Sequence, residues 1–341
     1  MNTSSVAIGV VGATGLVGST FLDILEEQTD FSIEQLLLFA SSKSAGKRIK
    51  FKKKNLVVEE PSLRRMKELD VVFFSGGDDL SKEWAPKLVE NNVWVIDNSS
   101  TFRLHPDIPL IVPEINGNLL QNLKKPQIIA NPNCTTIQLC MVLHALRSLK
   151  VTQVWMASYQ AVSGAGKEAR QELLTQIGQK KLIKTSRHFA CSLAFNVVPQ
   201  IGRISESGFS EEEIKVIKES KKILNLHSLK ISAFTVRVPV LNGHSMAVWV
   251  RFEKATSLEE ITTLLENMSG IQVMPMPHQI AEVTPKMISG SNMVYVGRIH
   301  QDLDDPTQWL FWIVADNLRK GAAWNGFQIF QSLAPLIKFK T

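Results

Sequence analysis

The chain has 341 residues, enough for two domains, and its 44% hydrophobic and 21% charged residues are ordinary for a globular protein. No apolar run approaches the roughly 20 residues that span a bilayer, which argues against a membrane protein. The net charge of +6 would suit a nucleic-acid partner, but the basic stretch Lys43–Lys54 contains a single aromatic residue and no nucleic-acid motif. We interpret this basic stretch as a solvated face, one end of which faces a phosphate group, and we expect that the protein does not bind nucleic acid.

The three cysteines have neither metal-ligand spacing nor the pattern of a disulfide framework. We therefore expect no bound metal and a reducing compartment. The first residues lack the basic and apolar regions of a secretory signal. These features together predict a cytoplasmic protein.

Residues 6 to 134 alternate between short apolar strands and helices. The predicted strands are near-continuously apolar, as in a parallel sheet that is covered on both faces. They are Val6–Val11, Leu36–Phe39, Val71–Phe74, Val93–Ile96 and Ile128–Ala130, with helices at Leu16–Glu27 and Ser81–Asn91. The first part of the chain therefore predicts an α/β domain.

Gly12, Gly15 and Gly18 follow the first strand and open the first helix. This context suits a nucleotide loop, in which glycines allow a tight turn and backbone N–H groups face the pyrophosphate. The spacing is G-x-x-G-x-x-G, which differs from the common dinucleotide fingerprint, and a plain strand-to-helix turn is the alternative.

The second strand is followed by Ser41, Ser42, Lys43 and Ser44. An NAD enzyme usually carries an acidic residue there to bind the ribose hydroxyls. Hydroxyl groups and a cation suit a 2′-phosphate instead, so NADP is the better prediction. The alternative is that the serines only shape a loop.

From about Val151 the strands become longer and alternate in polarity, which indicates a mixed or antiparallel sheet with one face against helices. The predicted strands are Val154–Gln160, Lys230–Val240 and Met246–Phe252. The predicted helices are Lys167–Gln179, Glu211–Leu224, Ser257–Met268 and Gly321–Lys338. The last helix is expected to return to the first domain.

Cys134 lies between the strand Ile128–Ala130 and an apolar helix. A thiol on the first turn of a helix faces unpaired N–H groups and the positive end of the helix dipole, and both favour the nucleophilic thiolate. Backbone N–H groups near the thiol would also stabilise an oxyanion. The alternative is a core cysteine that packs as a small hydrophobic residue.

Three polar residues downstream suit the same chemistry. Gln160 ends a strand with a neutral donor, and Arg237 on another strand can bind a carboxylate with two N–H groups. His244 is predicted in an exposed turn, where an imidazole can act as acid and base. Each of these, taken singly, is also compatible with a structural role.

Ser210 and Glu213 form a predicted capping box, which leaves Glu212 free. Glu212 shares a helix face with Lys215, and the alternative is a solvated ion pair. Arg103 follows a strand at its carboxyl end, where ligands bind in open α/β sheets.

These motifs, in this order, resemble bacterial aspartate-semialdehyde dehydrogenase from end to end. The resemblance implies a Rossmann-like NADP domain at residues 1–133 and 319–341, and an α+β catalytic and dimerisation domain with a mixed sheet at residues 134–318. It also implies a homodimer or homotetramer that converts aspartyl phosphate and NADPH to aspartate semialdehyde, for the synthesis of lysine, diaminopimelate, threonine and methionine. The matching blocks are Gly12–Gly18, Ser41–Gly46, Asp97–Arg103, Asn131–Thr136, Tyr159–Gly166, Glu212–Lys215, Arg237–Ser245 and Asp316–Asn325.

The resemblance also implies roles for single residues. Cys134 would be the nucleophile that forms a thioester, His244 the acid/base, and Gln160 the residue that positions the intermediate. Substrate contacts would come from Arg237 to the carboxylate, Glu212 to the amino group, and Arg103, Lys215 and Asn133 to the phosphate. Cofactor contacts would come from Gly12, Thr14, Gly15, Leu16, Val17, Lys43, Ser44, Ser163, Gly164 and Asn317.

Two positions depart from the family pattern. Lys43 stands where the family often has arginine, which keeps the charge but loses the planar fork and predicts a softer preference for NADP. Asn131 replaces a small residue or cysteine, with no expected consequence.

Two other functions were weighed. N-acetyl-glutamyl-phosphate reductase uses the same thiol chemistry, but its acetamide substrate does not need a carboxylate such as Glu212. A catalytically silent NADP-binding paralogue could lose the nucleophile, whereas this chain keeps Cys134, Gln160 and His244.

Overall fold

The computed structural model describes residues 5–28, 31–179, 185–274 and 283–337. The chain divides into two compact units, Met1–Pro132 with Ala322–Thr341, and Asn133–Gly321. Asn133 thus belongs to the second unit, whereas the sequence analysis placed it in the first. Among the described residues, no helix is long and apolar enough to cross a membrane.

The first unit is built on a single sheet. Its strands are β1 (Ser5–Val11), β2 (Ser32–Phe39), β3 (Arg48–Phe51), β4 (Lys54–Glu59), β5 (Val71–Phe74), β6 (Trp94–Asp97) and β7 (Ile128–Ala130). They form a 7-stranded sheet in the order β3-β4-β2-β1-β5-β6-β7. Every neighbouring pair is parallel except β3 and β4, which confirms the predicted parallel sheet.

Both faces of this sheet are buried. Val71 and Phe73 of β5 belong to one apolar cluster, and Val72 and Phe74 belong to another. Because successive strand residues point to opposite faces, a strand covered on both sides must be apolar throughout. The helices of this part of the chain are α1 (Leu16–Glu27), α2 (Leu63–Met66), α3 (Asp78–Glu90), α4 (Pro113–Asn116) and α5 (Asn118–Gln121).

The hairpin β3–β4 was not predicted from the sequence, because its strands lie in and beside the basic stretch. Arg48 and Lys50 of β3 are exposed, whereas Phe51 is buried. β3 is an edge strand, and charged side chains on an edge oppose pairing with another chain.

The second unit is built on a 6-stranded sheet. Its strands are β8 (Val151–Gln160), β9 (Lys230–Arg237), β10 (His244–Phe252), β11 (Ile271–Val273), β12 (Val294–Gln301) and β13 (Gln308–Ala315). The order is β11-β12-β13-β10-β8-β9. Pairs β8–β9 and β11–β12 are parallel and the other pairs antiparallel, so the predicted mixed sheet is confirmed, although β11, β12 and β13 were missed.

Two helices of this unit bring the polar residues of the site together. The helices are α6 (Cys134–Ala145), α7 (Lys167–Ile177), α8 (Glu211–Leu224), α9 (Leu258–Glu266) and α10 (Pro285–Ile288). Helices α6 and α8 pack against each other, while α6 contacts β13 and α8 contacts β9. The start of α6 therefore faces a helix that carries several carboxylates.

The chain then passes through a π-helical turn, Arg319–Ala323, into α11 (Trp324–Leu333). Helix α11 packs against α1 in the first unit, and the rings of Phe327 and Phe330 contact Phe31. Lys338, the predicted end of this helix, lies outside the described residues.

Candidate active site

The glycine loop after β1 has the backbone of a nucleotide-binding turn. Gly12 has a φ of +85°, a conformation that favours glycine. A Cβ at Gly18 would lie 2.3 Å from the carbonyl oxygen of Gly12, so only glycine lets the first turn of α1 approach the loop this closely. Helix α1 starts at Leu16, directly after Gly15. The loop thus offers a close backbone approach at the start of a long helix.

The loop after β2 reaches the same place. Thr14 Oγ1 donates to Ser44 Oγ at 3.4 Å, and Lys47 Nζ donates to that oxygen at 3.4 Å. Lys43 is exposed beside them in the chain. Two predicted cofactor residues from separate loops are therefore neighbours, and Lys47 is an additional cation that the sequence analysis did not assign to the cofactor.

Arg103 of the first unit is buried, and backbone carbonyls hold its guanidinium. Nε donates to Asn131 O at 2.9 Å, and Nη2 donates to Asn98 O at 2.9 Å. The side chain of Asn131 donates to Asn98 Oδ1 at 2.7 Å and accepts from Asn325 Nδ2 at 2.7 Å. Contrary to the expectation from sequence, the Asn131 side chain has a clear consequence, since it links Asn98 to Asn325, whereas the oxygen that accepts from Arg103 belongs to the backbone.

Cys134 is the first residue of α6, as predicted, and its side chain is half-buried. Asn133 is the N-cap, and its Oδ1 accepts from the backbone N–H groups of Thr135 at 2.9 Å and Thr136 at 3.2 Å. A Cβ at Gly321 would lie 2.9 Å from the Cβ of Cys134, so the chain beside the thiol requires glycine. The positive end of the α6 dipole lies at the thiol and favours the thiolate.

Three of the backbone N–H groups around the thiol have acceptors within the protein. Those of Thr135 and Thr136 are taken by the N-cap, and the N–H of Asn133 donates to Glu219 Oε2 at 2.7 Å. These three are therefore not the backbone N–H groups that the sequence predicts to stabilise an oxyanion.

Glu212 is not free, contrary to the prediction. It is buried, and its Oε1 accepts from Asn133 Nδ2 at 2.8 Å and from Gln160 Nε2 at 3.0 Å. The capping box of Ser210 and Glu213 is present as predicted. Glu212 therefore links the N-cap of the cysteine helix to the end of β8, so the solvated ion pair with Lys215 is ruled out.

His244 is also placed differently from the prediction. It is the first residue of β10 and fully buried, not exposed in a turn. Its Nδ1 accepts from the backbone N–H of Ala161 at 3.0 Å, so the proton of the neutral ring sits on Nε2. Burial lowers the pKa of His244 well below its ordinary value and Arg237 lowers it further, while the backbone of Gly243 has a smaller opposing effect. Nε2 has no hydrogen-bond partner among the described residues.

Arg237 lies on the buried face of β9, with the exposed Phe234 on the other face. Its Nη1 donates to Ala161 O at 2.6 Å. Burial lowers the pKa of Arg237, and the charges of Glu212 and Cys134 oppose this shift. The guanidinium is thus within electrostatic reach of both the carboxylate and the thiol.

Gly164 lies against the two basic side chains. A Cβ at this position would lie 3.1 Å from Arg237 Nη1 and 3.1 Å from His244 Nε2. Nearby, Ser163 Oγ donates to Asn317 Oδ1 at 3.0 Å, so two further predicted cofactor residues are hydrogen-bonded to each other.

Glu219 was not predicted from the sequence to belong to the site. The residue lies seven positions after Glu212, which is about two turns along the same face of α8, and this spacing is the signal that would have revealed it. In the second unit, a thiol and two carboxylates lie at the start of α6, with a guanidinium within electrostatic reach of the thiol and an imidazole beside that guanidinium. These groups can perform acyl transfer through a thioester and can bind a substrate that carries one positive and one negative group.

The comparisons with known proteins cover both units. A family described as semialdehyde dehydrogenase, NAD binding domain, matches residues 7–123, and a family described as semialdehyde dehydrogenase, dimerisation domain, matches residues 143–320. The aspartate-semialdehyde dehydrogenase of Aquifex aeolicus is 41% identical over 331 residues, which are 96% of this chain and 97% of that protein. That of Bacillus subtilis is 39% identical over 342 residues, with 96% and 97% covered.

Solved structures agree with these relatives. The crystal structure of aspartate semialdehyde dehydrogenase II complexed with ASA from Vibrio cholerae has a TM-score of 0.91 at 36% identity, covering 97% of this chain and 99% of that one. Aspartate semialdehyde dehydrogenase with NADP from Candida albicans has a TM-score of 0.73 at 26% identity, covering 98% and 99%.

Proposed function

The chain belongs to the aspartate-semialdehyde dehydrogenase family, and from this we propose that it reduces L-aspartyl 4-phosphate to L-aspartate 4-semialdehyde with NADPH, releasing phosphate. The observation that carries the proposal is the placement of Cys134 at the start of α6, with Asn133 and Gln160 both bonded to Glu212. We assign the reaction to amino-acid biosynthesis in the cytoplasm, where the three cysteines would stay reduced.

The first step is acyl transfer to Cys134. The thiolate sulfur attacks the acyl carbon, the bond between that carbon and the bridging oxygen breaks, and phosphate departs with the electron pair and takes up a proton from solvent. A thioester on Cys134 remains. The dipole of α6 favours the attacking thiolate. We assign the phosphate to Asn133, Lys215 and Arg103. In this assignment Asn133 contributes the second hydrogen of its amide, since the first is donated to Glu212.

The second step converts the thioester to the aldehyde. When bound, the nicotinamide would supply a hydride to the carbonyl carbon, and the thioester oxygen would become an oxyanion. The Nε2–H group of His244 donates to this oxygen, because Nδ1 is occupied by Ala161. The carbonyl then re-forms as the carbon–sulfur bond breaks, and Cys134 leaves as the thiolate. His244 in this neutral form keeps its proton and acts as a hydrogen-bond donor to the oxyanion.

Substrate selection comes from the charges around the thiol. We assign the substrate carboxylate to Arg237, whose remaining N–H groups can bind it with two hydrogen bonds. We assign the substrate ammonium to Glu212, whose Oε1 is used within the protein, and we assign its Oε2 to the ligand. Gln160 is held between Glu212 and Ser158, which suits a residue that positions the intermediate.

The family establishes a nicotinamide cofactor, and we propose that it is NADP. The glycine loop fits the pyrophosphate, since a side chain at Gly18 would fill the space that the backbone uses. Thr14 and Ser44 are neighbours at this loop, and Lys43 and Lys47 supply positive charge where an NAD enzyme has an acid. Ser163, Gly164 and Asn317 remain our assignments for the nicotinamide end.

The test of the function is NADP reduction with aspartate semialdehyde and phosphate. We expect turnover by the wild type and loss of at least three orders of magnitude in Cys134→Ser, with unchanged thermal unfolding. Full activity in the serine variant would show that Cys134 is not the nucleophile. Turnover of only the N-acetylglutamate analogue would instead show that the proposed substrate is wrong.

We also propose a homodimer formed through the exposed face of the six-stranded sheet. Phe234, Ala157, Ala247 and Trp312 are consecutive neighbours across β9, β8, β10 and β13, and Phe234 is 55% exposed. Trp155 and Trp249 form the next row. A contiguous apolar face of this kind typically marks an interface.

Light scattering after size exclusion tests this interface. Phe234→Glu should shift the protein from two chains toward one. The matched control is Leu303→Glu, at a fully exposed position between β12 and β13, and it should remain dimeric. Equal masses for both variants would refute this interface.

A further inference from the structure

We propose that Glu219 is a positioning residue for the nucleophile: its buried carboxylate holds the backbone N–H of Asn133 and so sets where the helix of Cys134 begins. The proposal rests on the proposed function only in naming Cys134 as the reacting group. Glu219 itself was assigned no role by the sequence analysis.

The contact completes a helix cap that α6 cannot complete alone. In a capping box, the residue three positions into the helix returns a carboxylate or amide to the N–H of the N-cap residue. Helix α8 does this locally, with Glu213 bonded to Ser210 N at 2.7 Å. In α6 the equivalent position is Thr136, whose side chain is too short. Glu219 of α8 supplies the missing acceptor, at 2.7 Å from Asn133 N.

Both partners of this contact are buried, which makes the contact important. Glu219 is 1% exposed and Asn133 is 6% exposed. A buried N–H group without an acceptor is costly, so loss of the carboxylate would move the chain at Asn133 toward another acceptor. Cys134 is the next residue, and a displacement of about 1 Å at a reacting group can cost about 100-fold in rate.

Glu219 and Glu212 act on the same residue from one helix. Glu212 Oε1 accepts from the side chain of Asn133, and Glu219 Oε2 accepts from its backbone. Both the backbone and the side chain of Asn133 are therefore held by α8, and the orientation of α6 depends on that helix. The charge of Glu219 also interacts with Lys222, one turn along α8.

Two variants separate the hydrogen bond from the charge. Glu219→Ala removes both, whereas Glu219→Gln removes the charge but keeps an oxygen that accepts from Asn133. Val216→Ala, in the same helix at a fully buried position, is the control for general destabilisation of α8. We expect kcat to fall about 10- to 100-fold in Glu219→Ala, and Glu219→Gln to recover most of this loss.

Hydrogen exchange gives a readout that does not depend on the substrate. The amides of the peptide that contains Asn133 and Cys134 should exchange about tenfold faster in Glu219→Ala, and near the wild-type rate in Glu219→Gln and Val216→Ala. The proposal is overturned if Glu219→Gln behaves like Glu219→Ala, or if Val216→Ala lowers kcat as much. If the proposed substrate is wrong, no variant turns it over, yet the order of exchange rates persists.

Discussion

Nδ1 of His244 accepts the backbone N–H of Ala161 at 3.0 Å, in a fully buried site. A second proton on the ring would face that N–H group, so the bond opposes the imidazolium form. Burial, which lowers the pKa of His244, acts in the same direction. The histidine is therefore held as a neutral donor beside Arg237, and this differs from the exposed acid/base that its sequence context suggested.

His244 should make folding stability depend on pH. Below the ordinary histidine pKa of 6.5, the unfolded chain binds a proton that the buried ring does not. The free energy of unfolding should therefore fall by up to about 1.4 kcal/mol per pH unit as pH decreases below that value, and this contribution should be constant above it. Urea unfolding at about pH 7.5 and about pH 5.5 measures the difference.

His244→Asn should reduce this pH dependence, because asparagine does not titrate. The exposed His300→Asn is the matched control and should leave it unchanged. Equal slopes in His244→Asn and the wild type would show that His244 is protonated in the folded protein as readily as in the unfolded chain.

Gly164→Ala should impair catalysis without unfolding the protein. The added methyl group would lie 3.1 Å from both Arg237 Nη1 and His244 Nε2, closer than such contacts normally allow, and both side chains are buried. We expect kcat to fall about 10- to 100-fold. Gly178→Ala, at the end of α7, meets nothing nearer than 3.7 Å and should retain full activity. Similar kinetics for the two variants would contradict the predicted contact.

Glu212→Gln should weaken recognition of the substrate ammonium. The amide oxygen can still accept from Asn133 and Gln160, but the group offered to the ligand becomes a donor without charge. We expect KM for aspartate semialdehyde to rise about 10- to 100-fold, and KM for the cofactor to stay constant. Glu211→Gln is the same change one residue earlier at an exposed position, and it should be neutral. A rise in the cofactor KM alone would contradict the assignment.

Lys43→Ala should reduce the preference for NADPH over NADH. The 2′-phosphate loses a nearby cation, so KM for NADPH should rise about tenfold while KM for NADH changes little. Lys50→Ala removes an exposed charge from the same basic stretch and should leave the ratio unchanged. If both cofactors are affected equally, Lys43 does not sense the 2′-phosphate.

The elements of the chain were predictable to different degrees. Strands such as Val71–Phe74 are apolar at every position because both faces of the sheet are covered, and this pattern is visible in sequence. β12 and β13 pair with each other, but no strand was predicted for residues 294–315. The basic hairpin β3–β4 was missed because its alternation is carried by charged residues.

The sequence by itself determined the local features of the site. Asn133 caps a helix that begins at Cys134, and the capping bonds run to residues only two and three positions away. Ser210 and Glu213 are likewise three positions apart. Interactions of this range depend on the backbone conformation of one turn, so the residue types and their spacing are sufficient to predict them.

Only the tertiary structure decided what the site residues contact. The bond between Glu219 and Asn133 spans 86 residues, that between His244 and Ala161 spans 83, and that between Glu212 and Gln160 spans 52. Each of these depends on how helices and strands pack, and burial then sets the pKa of His244 and engages Glu212. A sequence pattern shows which groups are present, but their partners and exposure follow from packing between distant segments.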